Sequence, residues 1–280
     1  MIHPDDPPPG APWDTAFARC PFAFLDCEMT GPDPARDALV EVAVTRVEGE
    51  RVAGAFASLV RTDVPSNPAA LALHGIAPEQ LADAPAFADV APRVAELLDG
   101  AVPVMHGAAL DVDFLNLAYG AIAGRALLGH VLDTVLLARR VVHTKAYGLS
   151  SLAAKLGLPA RRWHRAGEDV AGVRDLFAHV GRVLRPASAR DLWEVRVGQE
   201  GPVRVRTAFE ELFARAQGGR RALSMLVRTP GHEPATLVAR VERWSPPYLH
   251  LATGQRGAHG VRVLRADRVL YAEEAPAKPR

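Results

Sequence analysis

The sequence predicts an α/β domain built on a mixed sheet, followed by a smaller, mostly β domain. Three observations predict this. Three strand-like runs follow one another within residues 22–60, helical and strand patterns alternate over residues 87–184, and beyond Pro186 the chain turns to short strands parted by Gly/Pro turns. Charge changes at the same place: residues 1–185 hold 17 Lys+Arg against 22 Asp+Glu, and residues 186–280 hold 16 against 10. An acidic first part suits carboxylates gathered around cations, and a basic second part suits a polyanionic partner.

Residues 22–26 form a short apolar run ending in polar residues, a buried strand. Residues 38–47 (ALVEVAVTRV) and 53–60 (AGAFASLV) carry β-branched residues with partial alternation and flank the turn-prone Glu48-Gly49-Glu50. These make a three-strand antiparallel start. Phe87, Val90, Val94, Leu97 and Leu98 make a helical stripe. A strand over 102–105, a helix over 112–123, a brief strand at 131–132 and a helix over 135–142 follow. A helix over 150–156 closes at Gly157, and a last amphipathic helix over 169–184 stops at Pro186. In the second part, residues 209–216 read as a helix, and 222–228, 235–244, 248–253 and 261–271 as strands.

Composition excludes several classes. With 49% hydrophobic and 23% charged residues, the chain can pack a core. No run approaches the ~18 apolar residues of a membrane span, so no membrane partner is expected. Residues 1–19 open acidic and proline-rich and read as a loose leader. Cys20 and Cys27 are too few for a disulfide framework, and a reducing cytoplasm is the expected compartment.

Asp26 and Glu28 end the first strand, where alternation puts both carboxylates on one face and Cys27 on the other. Such a pair repels itself unless cations bridge it, and hard oxygen ligands favour Mg²⁺ or Mn²⁺. Asp111 lies at a strand-to-helix junction, where on its own it would be an N-cap. His164 and Asp169 lead into the last helix. Asp133-Thr134 reads as a helix cap, and Asp113 and Glu168 as solvated neighbours of the acidic positions.

Taken in order, DCEMTG (26–31), LHGI (73–76), HGAALDVDFL (106–115), DT (133–134) and HRAGEDVAGV (164–173) resemble the DEDDh 3′–5′ exonucleases. That family includes the proofreading epsilon subunit of bacterial DNA polymerase III and oligoribonuclease. The resemblance covers residues 20–185 and implies a ribonuclease H-like fold. It further implies that Asp26, Glu28, Asp111 and Asp169 hold two metal ions, Mg²⁺ or Mn²⁺, roughly 3.5–4 Å apart, clamping the attacking and leaving oxygens. His164 would be the general base, work suited to imidazole, which ionises near neutral pH. His74, Gly75 and Ile76, with Met29, Thr30 and Phe114, would contact the terminal nucleotide. The implied substrate is the single-stranded 3′ end of DNA or RNA, and the product a nucleoside 5′-monophosphate. Met29 stands where many members carry Thr, and Gly107 and Leu110 replace the usual Asn and Phe of the H-N-A-x-F-D pattern.

Residues 209–275 resemble a WYL domain, a small SH3-like β module, through the segment 247–251 and the run 262–269; Pro247 replaces the name-giving Trp. This implies binding of nucleic acid or a nucleotide-like ligand through Arg262, Arg265 and Arg268, since guanidinium fits phosphate bidentately and stacks on bases. The expected boundaries are a leader 1–19, an exonuclease domain 20–185, a linker 186–208, a β-rich accessory domain 209–275 and a tail 276–280. Two alternatives stand beside this: an oligoribonuclease-like RNase acting on short RNA, and a non-catalytic nucleic-acid-binding regulator. Neither strand chemistry nor a protein partner is legible.

Overall fold

The computed structural model describes residues 6–196, 205–219, 221–255 and 258–276; the ends of the expected leader and tail and residues 197–204 of the expected linker lie outside them. The chain forms two compact units, Met1–Val135 with Ala146–His179, and Leu136–Lys145 with Val180–Arg280. The segment 136–145, placed by sequence in the first domain, therefore clusters with the second unit.

In chain order the elements are β1 Pro21–Met29, β2 Leu39–Glu48, β3 Arg51–Leu59, α1 Pro68–His74, α2 Pro78–Ala82, α3 Phe87–Leu98, β4 Val102–Met105, α4 Ala109–Ala123, β5 Leu132–Asp133, α5 Thr134–Val141, α6 Leu149–Leu156, α7 Ala166–Leu184, α8 Ala189–Val195, α9 Thr207–Ala216, β6 Leu223–Val227, β7 Ala235–Ser245, β8 Tyr248–Gln255, β9 Ala258–Arg265 and β10 Val269–Glu274. The first sheet runs β3-β2-β1-β4-β5. Its β1–β2 and β2–β3 pairs are antiparallel and its β1–β4 and β4–β5 pairs parallel. This is the mixed sheet that the sequence predicts. The order leaves β1 central, with its two faces covered by different helices.

Alternation along β1 sorts its side chains cleanly. Ala23, Leu25 and Cys27 enter a core with Val90, Val94 and Leu97 of α3 and with Phe114 and Leu115 of α4. On the other face the rings of Phe22 and Phe24 lie 4.9 and 5.4 Å from that of Phe177 on α7. Asp26 and Glu28 continue that second face. Asp169 stands eight residues before Phe177, about two turns along α7. The helix that seals the face with an aromatic ring thus also delivers a carboxylate to its polar end.

The second unit carries the antiparallel sheet β10-β6-β7-β8-β9, with Phe209 and Phe213 of α9 in its core beside Leu223, Met225, Leu249 and Leu251. Residues 261–271, expected as one strand, are two: a 3-10 turn over Ala266–Arg268 separates β9 from β10, which lie on opposite edges of the sheet. Buried Ala266 and the pairing of Arg265 with Asp267 stabilise that corner. The expected linker contains α8, capped by Ser188. Asp191 of α8 pairs at 2.6 Å with buried Arg206, which also donates to the carbonyls of Leu184 and Leu270. Among the described residues, no helix is long and apolar enough to cross a membrane.

Candidate active site

Three elements bring four carboxylates together at the C-terminal end of β1. Asp26 and Glu28 come from β1, Asp111 from the first turn of α4, and Asp169 from the first turn of α7. Glu28, Asp111 and Asp169 are buried. Ala108, not Asp111, is the N-cap of α4; the Asp111 carboxylate turns back to β1 and accepts from Cys27 N at 3.0 Å. One ligand atom each of Glu28, His164 and Asp169 lie within 4.8 Å of one another. The five residues singled out in the sequence therefore share one neighbourhood. Asp113 and Glu168 are exposed, as expected of solvated neighbours.

Burial and mutual repulsion raise every acid in the cluster. Asp26 is pushed well above the usual carboxylate range by burial first, then by Asp111, Asp169 and Glu28. Burial and the neighbouring Asp169 and Glu41 push Glu28 up to about 8. Asp111 rises to about 7, burial outweighing the hydrogen bond from Cys27. Asp169 is raised by burial, against the hydrogen bond from His164. So much desolvated negative charge is stable only with compensation.

The surrounding loops are tied down by polar side chains. Asp133 accepts from Val135 N at 2.8 Å, and so caps α5 as expected; it also accepts from Gly107 N and Ala108 N, tethering the approach to Asp111. Gly107 has φ 74. That left-handed conformation suits Gly or Asn, which explains why Gly stands where the family pattern has Asn.

A cavity of about 360 Å³ opens beside Glu28, lined among others by Met29, Asn67, Leu73, His74 and Leu110. Of the expected nucleotide contacts, Met29 and His74 line this cavity. Four other expected contacts do not. Thr30 is fully buried, its hydroxyl donating to Asp37 and accepting from Ala38 N. Ile76 belongs to a small core with Val40 and Leu81. Phe114 is part of the main core, and Gly75 is the left-handed C-cap of α1. Leu110 and Leu73 supply the apolar wall instead.

Sequence reasoning missed Glu41 and Arg165. Glu41 is buried on β2 and receives a two-pronged ion pair from Arg165. A lone acid inside the apolar run of β2 was the available signal. In the second unit, Arg262, Arg265 and Arg268 do not converge. Arg262 and Arg265 point to opposite faces of β9, because their spacing is odd. Arg265 is engaged bidentately by Asp267, and Arg268 sits in the 3-10 turn.

The sequence profile described as Exonuclease matches residues 23–177, more than half of the chain. The chain belongs to the Exonuclease family. Its exonuclease domain, of the DEDD type, is similar to the DNA polymerase III subunit epsilon-like protein of Rhodobacter capsulatus, 35% identical over 185 residues, covering 64% of this chain and 26% of that one. It is also similar to the 3′-5′ exonuclease DinG of Staphylococcus saprophyticus, 30% identical over 162 residues, covering 58% of this chain and 18% of that one. The chain thus spans about a quarter or less of these relatives. Among solved structures, the zinc-bound form of Escherichia coli exonuclease I with single-stranded DNA is 14% identical at a TM-score of 0.54, covering 91% of this chain and 65% of that one. That likeness is one of fold.

Proposed function

We propose that this protein is a metal-dependent 3′–5′ exonuclease of the DEDDh subtype, releasing nucleoside 5′-monophosphates from single-stranded ends. The observation that carries the reading is the convergence of Asp26, Glu28, Asp111 and Asp169 with His164 at one end of β1.

The residues fit a divalent cation. The donors are carboxylate oxygens held together against their own repulsion, and Asp169 Oδ1 is buried without a hydrogen-bond partner. All-oxygen donor sets suit Mg²⁺ or Mn²⁺. When bound, two such ions would supply charge neutralisation to the attacking and leaving oxygens of an in-line displacement. The chain's own groups do the rest. His164, exposed at the edge of the cluster, takes the proton of the attacking water. The water oxygen bonds to phosphorus as the P–O3′ bond breaks, and the departing O3′ takes a proton from solvent, leaving the shortened strand with a 3′-hydroxyl. The cavity beside Glu28 holds the terminal nucleotide against Leu73, Leu110 and Met29, with His74 at its wall. Such an apolar wall grips any base by contact and reads none of them.

Of the expected boundaries, 20–185 would hold the chemistry, less the segments 136–145 and 180–185 that cluster with the second unit, and 209–275 would hold the strand. We assign the second part a WYL/SH3-like role in holding long strands, at a site that keeps Arg265 of the expected arginines and leaves out Arg262 and Arg268. Across β7, β8 and β9, Arg243 pairs with His250 and Tyr248 with Arg265 in register. Arg243 Nη2 lies 3.1 Å from His250 Nε2, and Tyr248 is 45% exposed. Cations beside an exposed ring suit a backbone-tracking, base-stacking surface. The decisive experiment incubates 3′- and 5′-labelled DNA and RNA ladders with Mg²⁺, Mn²⁺ or EDTA. Stepwise loss of the 3′ label only with metal is expected. Internal cleavage or activity in EDTA would refute the reading, and activity confined to the shortest RNAs would favour the oligoribonuclease alternative.

A further inference from the structure

Glu41 is a buried acid to which hydrolysis itself assigns no task. It lies directly opposite Glu28 in the β1–β2 register, so both side chains share the face of the carboxylate cluster. A fifth metal ligand there would need free oxygens. Those of Glu41 are engaged: Oε1 accepts from Arg165 Nη2 at 2.7 Å, and Oε2 accepts from Arg165 Nε at 3.1 Å and Ala166 N at 2.9 Å. This two-pronged, charge-assisted geometry is the strongest an Arg–carboxylate pair makes.

Its grip falls on the two residues that follow His164. His164 itself has φ 65, one of two positive-φ residues other than glycine among those described. Left-handed backbone costs a residue with a Cβ about 1–2 kcal/mol and persists where the surroundings over-determine it. Three contacts do so here. His164 N donates to Asp169 Oδ2 at 3.0 Å. The Trp163 ring lies so close to α7 that a Cβ on Gly172 would come within 2.6 Å of it. Glu41 then fixes both Arg165 and Ala166 to β2.

We propose that Glu41 and Arg165 are positioning residues, whose ion pair locks the loop of His164 to β2 and so sets the imidazole at the Glu28–Asp169 edge of the cluster. The inference rests on the exonuclease reading, with His164 as the base. A misplacement of about 1 Å in a catalytic group can cost on the order of 10²-fold in rate.

The test measures kcat and KM on a labelled oligonucleotide for Glu41→Gln and Arg165→Lys, each with and without His164→Ala. Gln keeps the shape of Glu41 but not its acceptor capacity, and Lys keeps the charge of Arg165 but not the fork. Each single variant should lose roughly 10- to 100-fold in kcat with KM within about twofold. In the His164→Ala background either change should cost less than about twofold more, because residues acting as one unit are non-additive. Mn²⁺ affinity by calorimetry should stay within about twofold in Glu41→Gln, while exchange of the Ala166 amide accelerates at least about tenfold as its acceptor weakens. Equal kcat losses in both backgrounds would overturn the positioning role and leave His164 as base. A Mn²⁺ affinity lowered more than about tenfold would place the effect of Glu41 on the metal site and not on the imidazole, and would also overturn it. Unchanged kcat in His164→Ala alone would instead refute the base assignment, and the pair's catalytic role with it.

Discussion

Replacing Glu28 by Gln should abolish activity and yet stabilise the metal-free protein, with a pH signature that follows from the site. Glu28 moves from an ordinary 4.5 to about 8 on folding, chiefly through burial and then through Asp169 and Glu41. A folded value above the unfolded one means that the neutral carboxyl favours the fold. The stability it brings is complete below about pH 4.5 and is lost as pH climbs toward about 8. Linkage puts the loss at under about 1 kcal/mol at pH 5 and at about 4 kcal/mol at pH 8. Shared charge with Asp26 and Asp111 makes the latter an upper bound, so about 2–3 kcal/mol is the working figure. Gln has the same shape and no charge to desolvate. At about 2–4 °C per kcal/mol for a domain of this size, Glu28→Gln should melt roughly 5–10 °C above wild type at pH 8 in EDTA.

The assay is near-UV circular dichroism on heating, from pH 5 to pH 8.5, in EDTA and in Mn²⁺. The gap between variant and wild type should shrink to a degree or two at pH 5. Mn²⁺ should raise the wild type, by about 2.7 kcal/mol at a hundredfold excess over Kd, and raise the variant less. A variant that melts at or below wild type at pH 8 in EDTA would refute the reasoning. So would a gap of equal size at both pH values, since packing and not charge would then be its source.

Four further outcomes follow from the same geometry. Asp26→Asn should bring kcat to the EDTA background while far-UV dichroism stays native; residual metal-stimulated cleavage would contradict the assignment of Asp26. His164→Asn should lose on the order of 10²–10⁴ in kcat in single-turnover assays, with substrate affinity nearly unchanged, because the amide cannot accept a proton. Tyr248→Ser with Arg243→Ser should weaken binding of long single strands about tenfold at low salt and spare short oligonucleotides; gel shifts showing equal affinity would remove the second unit from substrate holding. Arg206→Ala removes the counter-charge of buried Asp191 and the donor to three carbonyls, and should cost the second unit about 3–5 kcal/mol in a denaturant titration.

Much of this was legible because local pattern and final contact coincide. The alternation of β1 alone placed Asp26 and Glu28 together and Cys27 away from them, and the structure keeps that arrangement. What escaped the sequence depended on contacts distant along the chain. The helix α1 is short, but its start is written in Asn67-Pro68, with Asn67 accepting from Ala70 N; without it, Leu73 could not be seen as a cavity wall. Ile76 and Phe114 stand next to site residues in sequence and face the other way, into cores. The corner at Ala266–Arg268 was hidden because β-branched and apolar residues flank it on both sides with no Gly or Pro between them, and the Arg265–Asp267 pairing marks the break.

The placement of Asp169 illustrates why a site this acidic can exist before any cation arrives. Phe177, two turns along α7, is 4% exposed and packs on Phe22 and Phe24. Burying such a ring is worth roughly 2–3 kcal/mol, comparable to the working cost of ionised Glu28 at pH 8. The aromatic end of α7 therefore offsets the repulsion that its acidic end creates. Because one helix carries both, the backbone that bears the carboxylate is held at the cluster. Relief must come from protonation, which for Glu28 persists until pH climbs toward about 8, or from a cation that displaces the protons, which is the condition a metal-dependent hydrolase requires of its ligands.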